Sequence, residues 1–142
     1  MSTAALVLLA LSLLAANQGD VPIRTVDKGT QSGVDAARTV VARTPEEWTA
    51  VWRAHAPEKP APAVDFTREM IVGVFLGTRP TAGYGVEIAG AREDAGGLVV
   101  QYREGSPPRD AMTAQVLTMP YHLVAVPKRE GEVKFEKVRS EN

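Results

Sequence analysis

The chain has 142 residues, 44% of them hydrophobic, which suits one domain with a true core. Its 16 basic and 17 acidic residues leave a formal net charge of -1, so nothing in the charge balance favours nucleic acid, whose phosphates call for a basic stripe. There is no cysteine, which excludes disulfides, thiolate metal sites and cysteine nucleophiles together.

Ala4 to Ala16 is apolar except for Ser12 and lies ahead of the first charge, Asp20. That is the length of a secretory h-region and falls short of the roughly 20 apolar residues that span a bilayer. The expectation is a signal peptide over 1–16 and an exported chain, periplasmic or extracellular, with no stable membrane span once it is removed. A polar lead over 17–33 is expected to be partly disordered apart from a short strand at Val21 to Val26, and 34–142 to form a single domain.

The β-branched content of Val34 to Arg43 predicts a strand. Thr44-Pro45-Glu46-Glu47 then supplies an N-cap threonine, a proline at the first helical position and a glutamate at the third, the pattern of a capping box. Trp48, Val51, Trp52 and His55 follow at i, i+3, i+4 and i+7, so the helix presents one apolar stripe to a sheet. The tryptophans read as core, and His55 as a half-exposed residue favoured by the helix C-terminus. Pro57 to Pro62 is a stiff surface spacer, not a domain boundary, because the helix needs the sheet beyond it.

Met70 to Leu76 is an apolar run without alternation, the signature of a strand covered on both faces. The turn-rich loop from Thr78 to Gly85 delivers Tyr84 between two glycines into the next strand. Tyr84 to Ala89 and Leu98 to Arg103 alternate around the Glu93 to Gly97 turn and predict a β-hairpin. Pro120 interrupts the extended segment from Gln115 to Val126, and a last strand follows the Lys128 to Gly131 turn. The fold class expected is α+β, one helix packed across a twisted, mainly antiparallel sheet of about six or seven strands that can curl into a partial barrel. In it Trp48, Val51 and Trp52 lie over Ile71, Val74 or Phe75.

No Walker A loop, GxGxxG, HExxH or GxSxG is present, and no cofactor is implied. A base for Ser32 or Ser106 would have to be His55 or His122, brought in by the fold, and no local pattern signals it. The expectation is a chain that is not an enzyme. Thr81, Gly83, Tyr84, Tyr121 and His122 remain as a candidate partner-binding set, tyrosine being effective at interfaces through its rigid apolar ring and hydroxyl. A glycine-flanked strand and a proline-interrupted edge also suit β-addition of a partner segment.

The order SGV at Ser32, TPEEWTAVWRAH, VDF at Val64 to Phe66, an apolar strand, TAGYGVEI and QVLTMPYHLVAVPK resembles the PrcB family, known for a subunit of a bacterial surface protease complex. The resemblance covers roughly Gly33 to Lys128. The family usually shows Thr-Gly-Gly-Tyr where this chain has Thr81-Ala82-Gly83-Tyr84. The resemblance implies an exported, non-catalytic domain that acts as an accessory or stabilising subunit of a protease or other envelope protein. The alternative is a small-ligand or protease-inhibitor module that uses the Thr81 to Gly85 loop.

Overall fold

The computed structural model describes residues 19–140, so the expected signal peptide lies outside the described residues. The elements run β1 (Asp20–Val21), β2 (Arg24–Gly29), β3 (Arg38–Ala42), α1 (Pro45–His55), β4 (Glu69–Phe75), β5 (Gly85–Asp94), β6 (Gly97–Gly105), β7 (Tyr121–Pro127) and β8 (Val133–Lys137). The strands form two four-stranded sheets, ordered β1-β5-β6-β8 and β2-β7-β4-β3. The expected single sheet is therefore two, and no closed barrel forms. All named pairings are antiparallel except β6 with β8, which is parallel. The polar lead, in which a short strand at Val21 to Val26 was expected, contributes two, β1 and β2, one to each sheet.

The unalternating run of β4 is explained by two different covers. Met70, Val72 and Val74 face Val86, Ile88, Leu98 and Val100 of the other sheet. Ile71 and Phe75 turn the opposite way, into a cluster with Trp48, Trp52, Leu123 and Ala125. The layers are thus sheet, sheet and helix, with β4 and β7 central in the middle one. The helix covers Ile71 and Phe75, while Val74 belongs to the core between the sheets. Each such fully buried side chain contributes about 1.5–3 kcal/mol. Gly73 is the one gap in the row, and Leu123 fills it: a β-carbon there would collide with the Leu123 side chain.

Helix α1 begins as its sequence dictates. The Thr44 hydroxyl accepts the Glu47 N–H at 3.1 Å, but the Glu47 carboxylate reaches one residue further back than in a capping box, to the Arg43 N–H at 2.8 Å. Both indole N–H groups point at the proline-rich spacer, Trp48 donating to the Pro62 carbonyl at 3.1 Å and Trp52 to the Lys59 carbonyl at 2.8 Å. The tryptophans are core residues that also pin the spacer. In the β5–β6 hairpin, Ala95 and Gly96 both have positive φ, 48° and 84°, the geometry of a two-residue type I′ turn.

Candidate functional site

The loop from Thr78 to Tyr84 is held from two sides. Gly77, at φ 79°, passes so close to the Asp35–Ala37 backbone that a β-carbon would lie 2.7 Å from the Ala37 nitrogen, and the Thr78 N–H donates to the Asp35 carbonyl at 3.1 Å. On the other side Arg79 and Thr118 exchange backbone hydrogen bonds of 2.7 and 3.0 Å, the Ala82 N–H donates to the Ala114 carbonyl at 3.1 Å, and the Thr118 hydroxyl donates to the Thr81 carbonyl at 3.0 Å. Two loops far apart in sequence, 78–84 and 106–119, are laced into one face. Gly83 sits against Pro107 at φ 99°. The left-handed turn falls on Gly83 and not on Ala82, so the alanine in place of the family's first glycine costs nothing in backbone strain.

Thr81 and Tyr84 are half-buried in this face and Gly83 is exposed. The Arg79 guanidinium lies 5.9 Å from the Tyr84 ring centre. Beside them Met112, Val116 and Leu117 are the exposed large hydrophobic residues of the described chain. Sequence reading missed these three, taking Gln115 to Met119 as a strand approach. Apolar side chains inside a long turn-rich connection were the available signal, since long ordered loops are disproportionately functional.

Tyr121 and His122 are not part of this face. They are 8% and 3% exposed and offer a partner almost no area, which corrects the expectation placed on them. Successive residues of a strand point to opposite faces, and both faces of β7 are covered. His122 instead joins the two sheets. Its Nδ1 accepts the Ile88 N–H at 2.8 Å, where β5 slips register between Ile88 and Gly90, and its Nε2 donates to the Thr25 hydroxyl at 2.9 Å, beside the irregularity in β2. Both ring nitrogens are used by the neutral form, and burial, with Lys28 nearby, lowers the imidazole pKa to about 4.

His55 is also buried, at 2% exposure, contrary to the half-exposed helix-end residue expected. Its Nε2 meets Asp27 Oδ2 at 2.9 Å and its Nδ1 meets Ser32 Oγ at 2.8 Å. The ring packs edge-on to Tyr121; burial first, and then the neighbouring Asp27 carboxylate, push its phenol up to about 12. Asp27, His55 and Ser32 share the composition of a hydrolase triad, an association with no local signal in the sequence. Its surroundings are those of a clasp. Ser32 is 3% exposed, its Oγ accepts the Val34 N–H at 3.0 Å, and the Gly33 N–H donates to the His55 carbonyl at 2.7 Å. A nucleophile needs an open approach and oxyanion donors beside it. Here the hydroxyl is enclosed and engaged in turning the chain from β2 beneath the helix end. Among the described residues no cluster of three or more acidic or histidine side chains could hold a metal ion, and no helix is long and apolar enough to cross a membrane.

Fold and site define a three-layer α+β domain whose polar interior is cross-braced and whose exposed large apolar residues all lie, among the described residues, in the 106–119 loop laced to the 78–84 loop. Within it, residues 70–127, from β4 through β7, match the family model described as PrcB C-terminal. The family resemblance is borne out over those residues. No curated protein and no solved structure matches the chain.

Proposed function

We propose that the chain is an exported, non-catalytic binding domain that serves as an accessory or stabilising subunit of an extracytoplasmic protease or another envelope protein. The observation that carries this reading is the laced loop face, where Thr81, Gly83 and Tyr84 stand beside the exposed Met112, Val116 and Leu117. Rigid loops with an aromatic centre and apolar neighbours bind proteins at low entropic cost, because little is left to order on contact. The apolar leader from Ala4 to Ala16 supports export. The enclosure of Ser32 supports a role without catalysis.

Affinity capture of the full chain from the envelope and culture fractions of its own source, with cross-linking and mass spectrometry, tests the reading. Retention of a protease or envelope protein is expected, with recovery falling about tenfold in the Tyr84→Ala and Leu117→Ser variants. Recovery unchanged by both substitutions would remove the loop face from the interaction. The rigidity of the same loop also favours the inhibitor reading. Stoichiometric inhibition across a protease panel supports that alternative, and no inhibition at micromolar concentration excludes it.

A further inference from the structure

The two sheets stay open along the side where their edge strands β3 and β8 lie, and a groove runs there beyond the loop face. It consists of two hollows of about 540 and 340 Å³ that share Arg79 and Glu104 as a common wall. The first continues to Tyr84, Lys137 and Arg139, the second to Arg38, Thr39 and Tyr102. The charged residues of the lining are Arg38, Arg79, Lys137 and Arg139 against Glu104 alone, a local excess of three positive charges in a chain whose net charge is -1. Glu104 is already shared between Lys137 at 3.0 Å and Arg79 at 3.6 Å. Arg38 and Arg139 meet no carboxylate among the described residues.

A second feature marks the same wall. Gly105 lines the first hollow and pairs across strands with Gly85. Neither glycine has a positive φ, and a β-carbon on either would meet nothing within 4 Å. Backbone conformation and packing leave both positions free to carry a side chain; Gly105 therefore leaves a shelf of bare backbone on the wall of the first hollow, and Gly85 extends it into the neighbouring hollow lined by Lys28 and Glu87. Glycine within a strand marks, among other things, a place where another backbone approaches closely.

We propose that this groove binds an extended, acidic peptide segment of a partner protein. The cations supply complementarity to its carboxylates, Tyr84 and Tyr102 take its alternate apolar side chains, and the glycine shelf admits its main chain. A small anion would use the charge but neither the length of the groove nor its aromatic walls. The inference does not depend on association with a protease, and the assay below reads it without capture from a natural source.

The probe is a fluorescein-labelled peptide of about nine residues alternating valine and glutamate, with serine-for-glutamate and lysine-for-glutamate versions, titrated by anisotropy against the full chain. Expected are saturable binding of the glutamate peptide, about tenfold weaker binding of the serine peptide, none of the lysine peptide, and weakening with added salt. Arg139→Glu and Arg38→Glu each lower affinity for the glutamate peptide about tenfold; Arg139→Glu does so without lowering Tm, its side chain being exposed, whereas Arg38 also lies over the Phe75 ring and its variant is compared at a temperature where it is fully folded. Equal binding of the glutamate and serine peptides, no binding of the glutamate peptide, or affinity unchanged in both variants overturns the proposal.

Discussion

His122 shows how much one side chain can be asked to do between two sheets. Its Nδ1 faces the Ile88 N–H, so a proton on that nitrogen would set two donors against each other inside the core, near Lys28 and Glu87. With the folded-state value near 4 and the unfolded value near 6.5, the unfolded chain takes up the proton first. This contribution is therefore complete above about pH 6.5, falls as pH drops through the interval, and is fully lost below about pH 4. It amounts to about 3 kcal/mol. Thermal melts of the wild type and of His122→Gln between pH 7.5 and about 4 check it. The variant should be less stable at neutral pH yet show a flatter acid limb, and parallel profiles for the two proteins would refute the assignment.

At the scale of elements, the tryptophans join helix α1 to the chain that follows it. Trp52 fills the space over β4 and donates to Lys59, so Trp52→Phe both leaves a void and strands the Lys59 carbonyl. A loss of about 2 kcal/mol by chemical denaturation is expected, with faster amide exchange or proteolysis in 57–63 as the local sign that the spacer has come loose. The β5–β6 hairpin offers the opposite sign. Ala95 sits at φ 48°, a conformation that costs an alanine and suits glycine or asparagine. Ala95→Gly should raise stability by roughly 0.5–1 kcal/mol, measured from the denaturation midpoint, and a lower midpoint would mean that the turn tolerates alanine without strain.

For the whole molecule, the Asp27, His55 and Ser32 clasp joins segments from three parts of the chain: strand β2, the helix end and the turn beneath it. Ser32→Ala should lower stability by about 1–3 kcal/mol and leave a β-dominated circular dichroism spectrum unchanged. A hydrolytic activity abolished by this substitution in still-folded protein would turn the clasp into a catalytic group.

Much of the architecture was legible because local physics fixes it. The Thr44 cap and the Trp48, Val51, Trp52 stripe set the helix, the unalternating run from Met70 set a strand buried on both faces, and Pro120 separates the Thr118–Met119 bridges from β7 as expected of a residue without an N–H. Which cover lay on each face of β4 was not legible, since a second sheet and a helix impose the same apolar demand on a strand. The loop residues Thr81, Gly83 and Tyr84 stood out through their glycines, whereas Tyr121 and His122 looked like rim residues because a polar tip on a strand reads as exposed until a partner is found for it. The sequence by itself determined the helix, the buried β4 strand, the β5–β6 hairpin and the family resemblance, because capping, periodicity and left-handed turns act within a few residues. Only the tertiary structure decided the division into two sheets, the burial of both histidines and the juxtaposition of four cations around Glu104, because each depends on hydrogen bonds and charges brought together from segments far apart in the chain.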